Sequence, residues 1–231
     1  MISLITGVGA KGQVGEAVAS ALAARGDTVL LASRNAAEVE SRAEELRATG
    51  ARATAYACDL SDPAAVDTLA ARVRADHGDR LDALVNLAGG FARSGPLAQS
   101  DPAVFSRMMQ INVVTALLAT RAFLPMLTTA RGAIVFFASE VVADGVPTRG
   151  VSAYAASKAA VVALMRSVAD EGREAGVRAN ALAPAAIRTA SNHVAMSANA
   201  RFVEREDVAA AVAFLCSAEA RAVSGQVIRL R

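Results

Sequence analysis

The chain has 231 residues, 54% of them hydrophobic, a length that holds one sizeable α/β domain rather than two, so a single domain over residues 1–231 is expected. Its formal net charge of +2 comes from 22 Arg and two Lys scattered among 22 acidic residues without a basic run, which excludes the electrostatic footprint of a nucleic-acid binder. Charges, Gly or Pro interrupt each apolar stretch before membrane-spanning length, which excludes a membrane protein on composition.

Apolar runs alternate with helical patterns from end to end. Strands are expected near 2–6, 28–33, 53–58, 82–88, 133–139, 177–183 and 226–230, with helices near 14–25, 36–49, 62–77, 102–128, 152–172 and 206–217. The first strand begins at Met1–Ile2, leaving no room for a signal peptide, so the expected location is the cytoplasm. Continuous apolar strands such as 132–139 (GAIVFFAS) are the pattern of a parallel sheet covered by helices on both faces. Asp62-Pro63 and Asp101-Pro102 read as helix starts, a capping carboxylate followed by Pro at the first helical position. Together these predict a Rossmann-type, doubly wound α/β fold of about seven strands.

Between the first strand and the first helix stands GVGAKGQVG. A phosphate loop of a nucleotide hydrolase needs Gly-Lys-Ser/Thr after its second glycine, but Gln13 and Val14 follow Gly12. Gly7, Gly9 and Gly12 spell GxGxxG between strand and helix. That context suits a dinucleotide, because the helix N-terminus points free N–H groups at a pyrophosphate. Other glycines of this kind serve ordinary turns. At the end of the second strand, Ser33 and Arg34 stand where an NAD site carries an acid for the ribose 2′-hydroxyl. An arginine holds a 2′-phosphate instead, and Lys11 in the glycine loop adds a second positive charge, so NADP(H) is expected over NAD(H).

The other lysine lies in SAYAASKAAVVALM. Tyr154 and Lys158 are four residues apart on an expected helix, so their side chains leave one face a turn apart. A phenol has a reference pKa of about 10 and exchanges protons at neutral pH only when its anion is stabilised; a neighbouring cation does this.

Thr6-Gly7 with glycines through Gly15, Asp59, Asn86-Leu87-Ala88-Gly89, Asn112, Ser139, Tyr154-x-x-x-Lys158 and Pro184 to Thr189 occur in that order over nearly the whole chain. This combination resembles the short-chain dehydrogenase/reductase family, 3-oxoacyl-[acyl-carrier-protein] reductase-like members among them. The resemblance implies a catalytic set of Asn112, Ser139, Tyr154 and Lys158. Tyr154 exchanges the proton at the substrate oxygen, and Lys158 lowers its pKa and holds the nicotinamide ribose. Ser139 orients the carbonyl, and Asn112 holds a water linking Lys158 to solvent. The implied cofactor site comprises Gly7, Gly9, Lys11, Gly12, Val14 and Gly15, then Ser33 and Arg34, with Asp59 and Leu60 at the adenine. Asn86, Ala88 and Gly89 line the groove, Tyr154 and Lys158 meet the ribose, and Pro184, Ile187 and Thr189 lie at the carboxamide end.

The pattern departs from the family in three places. The turn from Gly7 to Gly15 is two residues longer than usual, with Gly12 and Gly15 closing it; Ala185 follows Pro184 where glycine is usual; and the chain lacks the Asp-Gly-Gly tail. The tail serves subunit contacts, so a homodimer or homotetramer is expected, the dimer first. The expected substrate wall is apolar: Phe91, Val141, Val142, Val146, Pro147, Val151, Val194 and Met196. Arg93, Arg149 and Arg188 are placed near the entrance, where they suit a ketone carried on an acyl carrier protein or coenzyme A. The expected reaction is NADP(H)-dependent reduction of a ketone or oxidation of a secondary alcohol; the alternative is an NADP(H)-binding sensor or scaffold without turnover. No metal site is expected: His77 and His193 are far apart and receive no role, and Cys58 and Cys216 have neither zinc nor disulfide spacing.

Overall fold

The computed structural model describes residues 1–195 and 202–231. Seven strands, β1 (Ile2–Thr6), β2 (Thr28–Ser33), β3 (Arg52–Ala57), β4 (Ala83–Asn86), β5 (Ala133–Phe137), β6 (Arg178–Pro184) and β7 (Val227–Leu230), form one parallel sheet in the order β3-β2-β1-β4-β5-β6-β7. The helices are α1 (Val14–Ala24), α2 (Ala36–Ala48), α3 (Pro63–His77), α4 (Pro102–Met109), α5 (Thr115–Ala130), α6 (Ser152–Glu171), α7 (Ala190–Ala195) and α8 (Arg205–Leu215).

Successive strand residues face opposite sides of a sheet, and here both sides are core. Leu4, Leu30, Leu84, Ile134 and Phe136 pack under the layer with α3, α5 and α6. Ile5, Val29, Leu31, Val85, Val135 and Leu182 pack under the layer with α1, α2 and α8. In-register neighbours such as Leu30–Leu4–Leu84 carry each row across the strands. Asp62 and Asp101 cap α3 and α4 through the N–H groups of Ala64 (3.0 Å) and Ala103 (2.8 Å), as their sequence context predicts. Both cysteines are free and buried, and burial pushes the Cys216 thiol up to about 12, which leaves it unreactive at neutral pH.

The helix expected over 102–128 is interrupted. Between α4 and α5 the chain makes a π-helical turn, Gln110–Val114, which holds Asn112. The combined stretch Pro102–Ala130 is, by length and composition, capable of crossing a membrane. Its inner side is instead core, with Met108, Ala119, Phe123, Met126 and Leu127 buried. The short helix α7 was not expected from the sequence, because its polar residues carry no apolar periodicity.

Strand order reverses between β1 and β4, and this switch point positions the site. There Gly7 follows β1 and Ala88 follows β4, so close that a Cβ on Gly7 would lie 2.5 Å from the Ala88 Cα.

Candidate active site

The glycine loop is built from three required glycines, but they are not all those of the GxGxxG spelling. Gly7 has φ +75 and donates its N–H to Ala32 O at 2.7 Å. Gly12 has φ +78, and its N–H donates to Glu16 Oε2 at 2.7 Å. Glu16 in turn pairs with Arg205 at 3.1 Å and Arg42 at 3.6 Å. Gly15 lies in the first turn of α1, where a Cβ would stand 3.1 Å from Val8 Cα and 3.3 Å from Leu87 Cδ2, so α1 can sit close to the sheet only with glycine there. Gly9 has no such constraint, since a Cβ would meet only Glu38 Oε2 at 3.4 Å. Val14 is buried beneath the loop.

The lengthened turn reaches across to α7. Ala190 N–H donates to Gly12 O at 3.0 Å, and the Gln13 side chain donates to Ser191 Oγ at 2.9 Å. Lys11 does not line the cleft; its ammonium lies 3.8 Å from Glu45 on α2.

A cleft of about 410 Å³ opens at the carboxyl ends of β1 to β4, lined by Gly7, Ser33, Arg34, Asp59, Leu60, Ala88 and Gly89, all expected from the sequence. Ser61, Ile111, Thr115 and Arg107 also line it, and sequence reasoning missed them; Gly90 lines it beside Gly89. Ser61 was signalled by Asp-x-Ser, a common side-chain turn: Asp59 Oδ1 accepts from the Ser61 hydroxyl (2.7 Å) and N–H (2.9 Å). Arg107 carried no such signal, because only the tertiary fold lays α4 beside the strand tips. The Ser61 hydroxyl and N–H, and then the nearby Arg34 guanidinium, hold the Asp59 carboxyl below its ordinary range. Among the described residues Arg34 has no carboxylate within 4.0 Å, unlike Lys11.

Asn86 is placed differently from expectation. Its side chain turns inward to α5, where Nδ2 donates to Thr120 Oγ1 at 2.9 Å, while Oδ1 is buried without a partner. The cleft wall at this point is the main chain after Asn86, not its amide.

Tyr154 and Lys158 lie one turn apart on α6, with Lys158 Nζ 5.8 Å from the Tyr154 ring centroid. Lys158 is buried, its Nζ donates to Phe137 O at 2.8 Å, and burial pushes its pKa down to about 8. Burial pushes the Tyr154 phenol up, and a hydrogen bond with Ser139 acts in the opposite direction. Phe91 packs edge-on against Tyr154, ring centroids 5.0 Å apart.

Asn112 reaches this centre from the π turn. Its Oδ1 accepts from Gly90 N–H at 2.8 Å, and its Nδ2 donates to Gly90 O (3.1 Å) and Ser157 Oγ (3.0 Å). Ser157 Oγ donates to Tyr154 O at 2.8 Å, so one amide joins the strand-β4 loop to the catalytic turn of α6. Gly89 makes room for this: a Cβ there would stand 2.5 Å from Asn112 Oδ1 and 3.5 Å from Lys158 Nζ. The Asn112 amide is used by Gly90 and Ser157, and the Lys158 ammonium by Phe137 O; the link expected between the two residues runs through a water.

The buried ammonium makes stability depend on pH in a defined sense. With Lys158 lowered from 10.5 to about 8, the unfolded chain binds the extra proton between those values, so stability from this group rises with pH across that window. In urea unfolding, the chain should gain on the Lys158→Met variant by on the order of 2–3 kcal/mol between pH 7.5 and 10.5. A constant difference would show that the ammonium is not desolvated.

Pro184, at the end of β6, and Thr189 after it are buried, and Ile187 bridges to Val203. Thr189 Oγ1 accepts from Asn192 N–H at 3.1 Å. Arg188 is committed to its own segment: its Nε donates to Glu204 at 2.8 Å, and its guanidinium stacks on Phe202 at 4.8 Å. Val194 is exposed, and Met196 lies outside the described residues. His77 Nε2 is 3.1 Å from the Tyr56 hydroxyl, at the far edge of the sheet. Among the described residues no three metal-ligating side chains cluster.

Comparison with known proteins follows the same outline. Residues 2–200 match the short chain dehydrogenase family. The D-threitol dehydrogenase of Mycolicibacterium smegmatis is 32% identical over 97% of this chain and 88% of its own length. The solved structure of a 3-ketoacyl-ACP reductase from Sinorhizobium meliloti superposes with TM-score 0.89 at 30% identity, covering 100% of this chain and 97% of that one. A Beutenbergia cavernae structure with NADP bound at low occupancy is 32% identical with TM-score 0.88, covering 99% of this chain and 94% of that one. The chain belongs to the short-chain dehydrogenase/reductase family and is an NAD(P)-dependent oxidoreductase of CH–OH and C=O groups.

Proposed function

We propose that the protein, as a single domain, uses NADP(H) to reduce a ketone, or to oxidise the corresponding secondary alcohol, with Tyr154 exchanging the proton. The carrying observation is the convergence of Tyr154, Lys158 and Ser139 beside Gly89 at the end of a cleft whose opposite end holds Arg34. The cleft suits the dinucleotide: close main chain at Gly7 and Ala88, Asp59 for the adenine end, and Arg34, with no carboxylate within 4.0 Å among the described residues, for a 2′-phosphate. When bound, the nicotinamide supplies or accepts the hydride.

The residues supply the remainder. The Ser139 hydroxyl and the Tyr154 phenol both donate to the substrate oxygen, which fixes the carbonyl and offers it a proton as charge develops. Lys158, held by Phe137 O, places a cation near the phenol and lowers the free energy of its anion. Asn112 positions Gly90 and, through Ser157, the Tyr154 turn, so it acts here as a positioning residue.

A 3-oxoacyl thioester is the substrate class we favour. Ser94 and Gly95 donate their N–H groups to Gly150 O at 2.9 and 3.2 Å, which brings the loops of Arg93 and Arg149 together near Tyr154. Both arginines are exposed and suit the phosphate of a carrier; Arg188, already paired, does not. Exposed Phe105 and Leu117 on α4 and α5 support a homodimer or homotetramer, and the cytoplasm is the proposed location.

Fluorescence titration with NADPH and NADH tests the cofactor. The chain should bind NADPH more tightly, and Arg34→Ala should weaken NADPH about tenfold or more while leaving NADH within about twofold. Equal binding of both by the unaltered chain would overturn the NADP(H) preference and leave the enzyme class standing.

A further inference from the structure

A second cavity lies at the other end of the sheet. At the amino ends of the strands, a groove of about 790 Å³ is bounded by the α5–β5 turn, the end of α6 and the residues after α8. Six arginines line it, Arg80, Arg131, Arg166, Arg173, Arg178 and Arg221, against two carboxylates, Asp82 and Asp170. The carboxylates are engaged: Arg80 pairs with Asp82 at 2.6 Å and Arg173 with Asp170 at 2.8 Å. Among the described residues no carboxylate lies within 4.0 Å of the remaining four.

Two of these four are built in rather than left over. Arg178 is half-buried and donates to the carbonyls of Leu215 (2.9 Å), Ser217 (3.1 Å) and Val223 (3.2 Å), so its charge is oriented but not neutralised. A partly desolvated cation normally has a counter-charge. Arg131 ends α5 at φ 53, the one non-glycine residue with positive φ among those described. Glycine takes that helix-ending position without strain, whereas an arginine there carries a modest backbone cost. The Arg131 stem runs along Gly176, whose Cβ, if present, would stand 3.4 Å from the Arg131 Cβ, Cγ and Cδ, and this carries the guanidinium to the groove.

We propose that this groove binds a small molecule through a di- or triphosphate group, at a site separate from the nucleotide cleft. Clustered guanidiniums match phosphate oxygens in paired, charge-assisted hydrogen bonds, and several phosphates are needed to answer four unmatched charges. Calorimetric titration with inorganic tripolyphosphate at fixed ionic strength tests it. One site per chain is expected, with sulfate at least about tenfold weaker. Arg131→Gly and Arg166→Gln should each weaken tripolyphosphate about tenfold, and Arg34→Ala should leave it unchanged. Arg131→Gly is the sharper variant, because glycine relieves the left-handed strain and the melting temperature should hold or rise as binding falls. The proposal is overturned by no binding, by an equal response to sulfate, or by loss in Arg34→Ala but not in the groove variants. It is also overturned if a short DNA duplex binds these arginines more tightly than tripolyphosphate, since the ligand would then be a nucleic acid.

Discussion

Tyr154→Phe should lower turnover by about 10²–10⁴-fold, the range that a positioned proton donor contributes, while cofactor Kd rises by no more than about tenfold, the cost of one hydrogen bond to the ribose. The substitution removes one oxygen and leaves the ring, which keeps its edge-on packing against Phe91 at 5.0 Å. The Lys158 ammonium keeps its bond to Phe137 O at 2.8 Å, so the local fold has no reason to move. What is lost is the proton for the developing alkoxide, together with the partner of the Ser139 hydroxyl. The measurement is kcat on a ketone from a substrate panel, beside cofactor Kd. Undiminished kcat would remove Tyr154 from the chemistry; loss of cofactor binding in parallel would make its role structural.

Gly7→Ala should destabilise the fold by about 2–5 kcal/mol, from roughly 1–2 for a left-handed alanine and roughly 1–3 for overpacking. Its φ of +75 sets the first contribution, and the 2.5 Å approach of an added Cβ to the Ala88 Cα sets the second. The colliding atoms are backbone at the β1–β4 switch point, so relief requires parting the two strand ends that form the cleft floor. Cofactor affinity should therefore fall with stability. Gly9→Ala is the control: its added Cβ meets only the end of a flexible Glu38 at 3.4 Å, and the stability change should stay within about 0.5 kcal/mol. Equal urea midpoints for the two variants would show that the loop relaxes freely.

The contrast between those two glycines shows what could be read from the sequence. Strand and helix existence followed from the apolar period, and the β-strands and most helices stand within two residues of expectation because burial on both sheet faces leaves little freedom. Arg34, Asp59, Gly89, Tyr154 and Lys158 were legible because their spacing from strand ends or along a helix fixes their placement. That Gly9 has no steric need to be glycine was not legible, because the spelling of a motif says nothing of φ or of what stands nearby. Asn86 looked like a cleft residue by position, but the side-chain alternation at the end of β4 turns it toward Thr120. Arg107, the α7 contact with Gln13, and the π turn depend on elements distant in sequence, and no local period encodes them.

The π turn fixes a length. A five-residue turn holds one residue more than the α-helical path, so Pro102–Ala130 is in effect a regular helix carrying a single-residue insertion. Removing one residue from 110–114 would let the helix run straight with α4 and α5 near their present orientation, because the bulge already absorbs the extra residue locally. The core row of Phe123 and Met126 would keep its place, while the backbone that carries the Asn112 clamp on Gly90 would be lost. Chain length here is therefore constrained more tightly than residue type, and an insertion or deletion in this turn is a change to the site even though it adds or removes no side chain that lines it.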